Sequence, residues 1–225
     1  MNYQKTVILV AGGKGERMNT TVPKQFLELD NLPILMHTMS RFYDYSPDME
    51  LILVLPEGQL GFWENLCKRY NFTIPHRTVL GGETRFFSVK NALETIDNPS
   101  GLIAIHDGVR PLVDIETIGR CFEEAGKSGA AIPVMELVDS IRKMEKNTSK
   151  SVDRKQYRLV QTPQVFQSKV IFDSYNQPYK DHYTDDASVV ESFGHPVSLV
   201  EGNRKNIKIT DAVDLHMAKL LLNQA

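Results

Sequence analysis

The chain has 225 residues, of which 41% are hydrophobic and 24% charged, which is enough for a buried core and ordinary for a globular protein. Its formal net charge of −2 excludes the broad basic surface that general nucleic-acid-binding and membrane-binding proteins need. A cationic site in this protein must therefore be local.

Short apolar runs alternate with helical periodicities through the first half of the chain. Buried strands are predicted at Val7–Val10, Leu51–Leu55, Thr78–Leu80, Leu102–Ile105 and Ala130–Val134. Helices are predicted between them, from apolar residues three and four positions apart: Leu35, Met39 and Phe42; Phe62, Leu66 and Tyr70; Val89 and Leu93; Ile118 and Phe122. This alternation predicts an α/β fold, a Rossmann-like and mostly parallel sheet with helices on both faces.

The start of the sequence and the cysteines indicate the compartment. Residues 1–10 hold an apolar run that is too short for a signal peptide or for a membrane span of about 20 residues. The only two cysteines, Cys67 and Cys121, lie far apart in predicted helices, which indicates two buried thiols rather than a disulfide or a zinc site. We expect a cytoplasmic protein that binds neither nucleic acid nor membranes.

Residues 139–158 break the pattern. They include seven Lys or Arg, three Asp or Glu and almost no apolar side chain, so they cannot pack into a core. Two interpretations remain open: a solvated loop, or a β-hairpin arm at about 136–159 with a polar tip at Glu145–Lys150. Because an isolated two-stranded ribbon is marginal in water, such an arm would need a second subunit. We otherwise expect a single domain over residues 1–225.

The remaining elements are short. A strand is predicted near Leu159–Gln161, with helices from about Ser168 and Asp185. Strands at Val197–Val200 and Asn206–Ile209 are expected to precede a final helix. In that helix Thr210 is the predicted N-cap, and one face carries Leu215, Ala218 and Leu222.

A glycine-rich segment with three cations, Ala11–Lys24, follows the first predicted strand. Ligands bind at this edge of a parallel sheet, and glycines there let the backbone approach an anion. In this segment a P-loop is excluded because Ala11–Lys24 holds no Gly-Lys-Ser or Gly-Lys-Thr, and a dinucleotide fingerprint fails because Met18 occupies the third glycine position. Lys14, Arg17 and Lys24 together suit a ligand as anionic as a nucleoside triphosphate.

Eight motifs run in order from Ala11 to Thr210. They are A-G-G-x-G-x-R-M with P-K-Q-F, G-G-E-T-R-x-x-S (Gly81–Ser88), H-D-G-V-R-P (His106–Pro111), D-S-I-R (Asp139–Arg142), V-D-R (Val152–Arg154), T-P-Q (Thr162–Gln164), T-D-D-A-S (Thr184–Ser188) and E-G-x-x-x-N-I-K-I-T (Glu201–Thr210). This set resembles the 2-C-methyl-D-erythritol 4-phosphate cytidylyltransferase family of the non-mevalonate isoprenoid pathway. The resemblance implies an enzyme that joins 2-C-methyl-D-erythritol 4-phosphate to CTP, releases pyrophosphate and uses Mg²⁺.

Such a reaction needs positioned charge rather than a nucleophilic side chain. The attacking phosphomonoester has its second pKa near about 6, so it is largely dianionic at neutral pH and needs no general base. Cations and a metal ion answer the repulsion between the two anions. By resemblance, Lys24 stabilises the α-phosphate and Arg17 binds the triphosphate and the departing pyrophosphate, while Lys14 is a lesser candidate.

The resemblance also implies the residues that bind each substrate. Nucleotide binding is expected at Ala11, Gly12, Gly13, Gly15, Gly82, Ser88, Asp107, Gly108 and Thr162, with Asp107 also the candidate magnesium ligand. Polyol phosphate binding is expected at Ser140, Arg154, Thr184 and Lys208, with Arg154 serving the site of a second subunit in a homodimer joined by the arm. Ser140 stands where the family most often has Thr, so the hydroxyl is kept and a methyl is lost.

Structural interpretations stay open for several of these residues. Ser88 could be a helix N-cap, Asp107 a turn residue, Arg110 a partner of a local carboxylate, and T-P-Q a rigid turn. Two other functions also remain: ribitol-5-phosphate cytidylyltransferase, and a non-catalytic nucleotide-binding module on the same fold.

Overall fold

The computed structural model describes residues 3–13, 22–97 and 100–223, and one eight-stranded mixed sheet organises them. The strands of the described chain are β1 (Lys5–Val10), β2 (Glu28–Leu29), β3 (Leu32–Pro33), β4 (Glu50–Leu55), β5 (Arg77–Leu80), β6 (Leu102–Asp107), β7 (Ala130–Glu136), β8 (Arg142–Glu145), β9 (Thr148–Ser151), β10 (Arg158–Val160), β11 (Gln164–Gln167) and β12 (Ser198–Glu201). The sheet runs β5–β4–β1–β6–β11–β7, and β10 and β12 both pair with β7. Strands β5, β4, β1 and β6 are parallel, whereas β11 is antiparallel to both of its neighbours.

Seven α-helices occur in the described residues: α1 (Ile34–Tyr45), α2 (Leu60–Arg69), α3 (Arg85–Leu93), α4 (Ile115–Ser128), α5 (Ser168–Tyr175), α6 (Asp186–Ser192) and α7 (Ala212–Leu222). Four of them begin after a side chain that accepts a backbone N–H of the first turn. These N-caps are Thr84, Asp114, Asp185 and Asp211.

Alternation along the strands buries apolar side chains on both faces of the sheet. Val7 and Leu9 of β1 belong to the core that includes α1, α2 and α4, whereas Ile8 belongs to the core that includes α3, α5 and α6. Successive side chains of a strand point to opposite faces, so a continuous apolar run such as that of β1 needs cover on both sides. The predicted α/β fold with helices on both faces is confirmed.

The chain order places a crevice between β1 and β6. From β1 the chain passes to β4 and β5 on one side, and it then returns to β6 on the other side. Val10 and Asp107 are register partners at the carboxyl ends of these two strands. Ligands of open α/β sheets bind at such a switch point. A Cβ on Gly108 would lie 3.0 Å from both the Ala11 Cβ and a Leu35 methyl, so the turn after β6 has no room for a side chain.

T-P-Q leads into β11, which begins at Gln164 after a bend at Thr162 and a cis peptide bond between Thr162 and Pro163. Two sequence predictions about the second half were wrong. Residues 206–209 form no strand, although the Ile209 N–H donates to the Val109 carbonyl over 3.0 Å. The N-cap of α7 is Asp211 rather than Thr210, whose hydroxyl instead donates to Asp214. The predicted apolar face of α7 is present, with Ala218 buried.

The polar segment forms a β-hairpin. Strands β8 and β9 pair from Arg142↔Ser151 to Glu145↔Thr148, so the tip lies where the sequence predicted it. Both cysteines are free thiols, but only Cys121 is fully buried, because Cys67 keeps part of its surface exposed. In the parts of the chain that the structure describes, no helix has the length and apolarity needed to cross a membrane.

Candidate active site

A cavity of about 410 Å³ opens at the carboxyl ends of β1 and β6. Eight of the predicted site residues line it together: Ala11, Gly12, Gly13, Lys24, Gly82, Ser88, Asp107 and Lys208. The predicted residues Gly15 and Arg17, together with Lys14, lie outside the described residues. The prediction that Arg17 shares this cavity therefore stays a prediction.

Lys24 reaches the cavity across the glycines that follow β1. The Lys24 Cε and Nζ lie 3.4 and 3.8 Å from the position that a Cβ on Gly13 would occupy. The neighbouring Gln25 is buried, and its Nε2 donates to the Ala11 carbonyl over 2.8 Å and to the Gln59 Oε1 over 2.6 Å. Gln25 thus ties the short 3₁₀ turn that carries Lys24 to the end of β1.

Asp107 ends β6 with its carboxylate surrounded by cations. Its Oδ2 accepts from the Arg110 Nε at 3.1 Å and lies 3.0 Å from the Lys208 Nζ, and its Oδ1 is 4.0 Å from the Arg85 Nε. Burial alone would raise the pKa of Asp107, but Lys208, Arg85 and Arg110 together hold it well below its ordinary value. The carboxylate is therefore charged under all ordinary conditions.

The backbone of Asp107 is fixed by a buried chain of hydrogen bonds. The Thr162 hydroxyl accepts from the Asp107 N–H at 3.2 Å and bonds the His106 Nδ1 at 3.0 Å, while the His106 Nε2 bonds the Arg110 carbonyl at 3.2 Å. Because a carbonyl can only accept, His106 carries its proton on Nε2, and Thr162 donates to Nδ1. Thr162 therefore contacts the site through Asp107, whereas it does not line the cavity itself.

Protonation of His106 is expected to destabilise the fold. Burial is the main cause that lowers the pKa of His106 from its ordinary value of 6.5 to about 3. The unfolded chain takes up a proton near pH 6.5 and the folded chain does not, so stability is fully present above that pH and is lost as the pH falls towards 3. Urea unfolding at pH 7.5 and at pH 5.0 measures the free energy of unfolding at each pH. The decrease from pH 7.5 to pH 5.0 should be larger for the native chain than for His106→Gln. Equal losses would contradict the neutral assignment.

The turn before α3 closes another wall of the cavity. The Gly82 N–H donates to the Ser88 Oγ over 3.1 Å, and a Cβ on Gly82 would lie 2.5 Å from the Phe87 Cβ, so this turn requires glycine. Ser88 also bonds the Thr84 carbonyl at 2.9 Å. The alternative that Ser88 caps the helix was wrong, because Thr84 is the N-cap and Ser88 lies one turn further on.

Three of the predicted polyol phosphate residues lie outside the cavity. Ser140 and Arg154 are exposed beside the hairpin, where Arg154 donates to the Val138 carbonyl and lines a separate hollow of about 290 Å³. Thr184 is also exposed, and its N–H donates to the Ser188 Oγ over 3.1 Å. Of the four residues, only Lys208 lines the same cavity as the predicted nucleotide-binding residues.

Two arginines complete the site. Arg110 pairs with Asp107 and donates to the Asn206 carbonyl over 2.8 Å, in agreement with the structural interpretation. Arg85 lines the cavity but was not predicted as a site residue, although it stands inside the G-G-E-T-R-x-x-S motif. Its partner Asp186 is 101 residues away, a contact that no local pattern indicates.

Comparison with known proteins identifies the family. The family model of 2-C-methyl-D-erythritol 4-phosphate cytidylyltransferase matches residues 5–224. The chain is 50% identical over 218 residues to the protein of that name from Bacteroides fragilis, covering 97% of this chain and 99% of the relative. For the Bacteroides thetaiotaomicron relative the identity is 48% over 219 residues, covering 97% and 100%.

Solved structures agree with this match. The crystal structure of 2-C-methyl-D-erythritol 4-phosphate cytidylyltransferase from Thermus thermophilus is 30% identical, with a TM-score of 0.78, and the alignment covers 99% of this chain and 100% of that one. The 4-diphosphocytidyl-2C-methyl-D-erythritol synthase of Anaerococcus prevotii superposes with a TM-score of 0.83 at 26% identity over 98% and 99% of the two chains. The chain belongs to the 2-C-methyl-D-erythritol 4-phosphate cytidylyltransferase family, as its ordered motifs predicted.

Proposed function

We propose that this chain transfers a cytidylyl group from CTP to 2-C-methyl-D-erythritol 4-phosphate, giving 4-diphosphocytidyl-2-C-methyl-D-erythritol and pyrophosphate in isoprenoid biosynthesis. A phosphate oxygen of the polyol phosphate attacks the α-phosphorus of CTP, and the bond from that phosphorus to the β-phosphate oxygen breaks. No proton has to move, because the attacking phosphate is already dianionic. The observation that carries the proposal is the cavity between β1 and β6, where Lys24 and Lys208 line one space.

The cations of the cavity supply the catalysis. Lys24 binds the α-phosphate and stabilises the charge that grows on it as the new bond forms, and Arg17 engages the β- and γ-phosphates. Lys208 is 43% exposed although it pairs with Asp107, so its ammonium can also meet an incoming phosphate. The glycines at positions 12, 13 and 82 let the nucleotide approach the backbone.

Magnesium is the metal that suits these residues. Among the described residues, no three His, Cys, Asp or Glu side chains come together to hold an ion. Mg²⁺ does not need such a set, because it keeps several waters and binds through one or two carboxylates plus substrate phosphates. Asp107 is the carboxylate at the end of β6 that could take this part, and the ion would neutralise triphosphate charge.

A second subunit would complete the polyol phosphate site. Arg154 and Ser140 lie away from the cavity of their own chain, beside a hairpin with little support. A hollow of about 930 Å³ next to it is lined by Val138, Leu159 and Leu199, which are all exposed apolar side chains. We infer that a homodimer covers this surface and carries Arg154 to the partner's cavity. The two free thiols favour a cytoplasmic enzyme.

Arg154→Ala is expected to raise the KM for the polyol phosphate and to leave kcat with saturating substrates nearly unchanged, since binding charge is lost far from the reacting bond. Initial rates at varied polyol phosphate would measure it. Lys146→Ala at the hairpin tip is the matched control, being a cation of the same arm with no proposed contact. An unchanged KM in Arg154→Ala would remove this residue from the site.

The proposed function is tested by pyrophosphate release from the purified chain. Each of the four nucleoside triphosphates is offered with 2-C-methyl-D-erythritol 4-phosphate and, separately, with ribitol 5-phosphate, in the presence of Mg²⁺. Turnover is expected for CTP with the methylerythritol phosphate. Preferred turnover of ribitol 5-phosphate would replace the substrate, and CTP binding without any turnover would indicate a non-catalytic module.

A further inference from the structure

A buried ion pair joins two sequence motifs behind the cavity. Arg85 of G-G-E-T-R-x-x-S is the first residue of α3, and Asp186 of T-D-D-A-S is the first residue of α6. The Nη1 and Nη2 of Arg85 donate to the Oδ1 and Oδ2 of Asp186 over 2.7 and 2.6 Å. Asp186 is fully buried, whereas Arg85 keeps 29% of its side chain exposed at the cavity wall. This bidentate geometry fixes the plane of the guanidinium.

Tyr175 completes the pair from α5. Its hydroxyl donates to the Asp186 Oδ1 over 2.7 Å, and its ring stacks on Phe86 with centroids 4.7 Å apart. Asp186 therefore accepts three hydrogen bonds, and each terminal nitrogen of Arg85 donates one of its N–H groups to it. The Nε of Arg85 lies 4.0 Å from the Asp107 Oδ1.

Asp186 thus fixes the orientation of the Arg85 guanidinium relative to Asp107. Burial alone would lower the pKa of Arg85, but Asp186 raises it by more, so the guanidinium stays charged. Because Arg85 is paired with Asp186, it approaches Asp107 through its Nε, 4.0 Å from the Oδ1, and does not form a bidentate salt bridge with it. The two shorter ion pairs of the Asp107 carboxylate, with Arg110 and Lys208, are both made by Oδ2, whereas the ion pair of Oδ1 with the Arg85 Nε is longer, at 4.0 Å.

We propose that Arg85, held by Asp186 and Tyr175, is a positioning residue that sets the place of the Asp107 carboxylate and keeps its Oδ1 available to the bound nucleotide and its metal. This inference rests on the proposed function, since it assigns Asp107 and the adjoining Gly82 wall to CTP. It gives the T-D-D-A-S motif a role at the nucleotide end of the cavity through its second aspartate.

The sharpest test is Arg85→Lys, which keeps a cation beside Asp186 but lacks the planar fork and the Nε edge. The KM for CTP should rise about tenfold or more, since small displacements of site groups carry costs of that order, while the melting temperature stays near that of the native chain. Tyr183→Phe is the matched control: Tyr183 also packs on Phe86, but its hydroxyl bonds Ser192, so its KM should not change.

A second set of variants separates a positioning role of Arg85 from a purely structural one. Asp186→Asn alone leaves a buried cation unpaired and should lower the melting temperature by roughly 10 °C. The double variant Arg85→Gln with Asp186→Asn replaces the ion pair by two amides and should recover much of that loss, but the raised KM for CTP should persist. Recovery of both quantities would show a merely structural pair and overturn the inference, as would a normal KM in Arg85→Lys.

Failure of the inference is distinguishable from failure of the proposed function. An active native chain with unaltered variants would reject the inference and leave the cytidylyltransferase proposal intact. If the native chain releases no pyrophosphate, the proposed function fails, and titration calorimetry with CTP and Mg²⁺ still compares the variants. Weaker CTP binding by Arg85→Lys than by Tyr183→Phe would then support the positioning role, and equal binding would reject it.

Discussion

Lys24→Ala is expected to lower kcat by about 10²–10³-fold, the usual cost of removing one preorganised charge that stabilises a transition state. The Lys24 ammonium lies over Gly13 at the wall of the cavity, and buried Gln25 beside it anchors the turn. Charge develops on the α-phosphate as pyrophosphate leaves, and the variant would have no cation at that position. Single-turnover pyrophosphate release with saturating CTP and polyol phosphate measures this loss directly.

Two further variants separate the effect of the Lys24 charge from that of its shape and position. Lys24→Arg keeps the charge but changes the shape of the donor, so it should recover only part of the rate. Lys68→Ala removes an exposed cation of α2 and should leave kcat unchanged. Melting temperatures confirm that each variant is folded. A Lys24→Ala enzyme with normal kcat would end the proposed mechanism.

The first half of the fold could be predicted because its strands are continuous apolar runs. β1, β4 and β6 are buried on both faces, so their sequences carry a strong signal. β11 could not be predicted in this way, because it has four residues and begins and ends with Gln. The buried Gln164 is satisfied by Asp185 and by the Ala187 N–H, which are contacts from a distant helix.

The false strand at residues 206–209 has the opposite cause. Its alternation of Ile207 and Ile209 resembles a half-buried strand, and Ile209 is indeed buried. Among the described residues the segment nevertheless pairs with no strand: the Ile209 N–H donates to the Val109 carbonyl, while the Asn206 and Ile207 N–H groups donate to the nearby carbonyls of Asn203 and Lys205. Burial follows from the pattern, whereas pairing depends on where the rest of the chain lies.

The site was predicted as a set of residues rather than as a network. Glycines and cations after a strand indicate an anion site, and the structure brings Lys24 and Lys208 to one cavity although they are far apart in sequence. What the sequence could not show is that Asp107 already has cationic partners. Arg85 and Arg110 shape the charge of this carboxylate, and their partners are fixed by tertiary packing.

Asp107→Asn is expected to have the second largest effect, lowering kcat/KM for CTP by about 10²-fold. The amide cannot balance Lys208 and Arg110, and it is a poor ligand for a magnesium ion. Because Arg110 is largely buried, the unpaired cation should also destabilise the fold, by about 3 kcal/mol. Thermal unfolding measures the loss of stability. Initial rates, taken well below the melting temperature of the variant, measure the loss of activity separately.

Lys208→Met provides the contrast that identifies the cause. Lys208 is the more exposed partner of Asp107, so its removal should raise the KM for the polyol phosphate with little loss of stability. If Asp107→Asn acted only through misfolding, its activity per folded molecule would equal that of the native chain. A normal kcat/KM with a lowered melting temperature would therefore reduce Asp107 to a structural residue. A loss of kcat/KM that added Mg²⁺ partly restores would assign it to the nucleotide–metal end of the cavity.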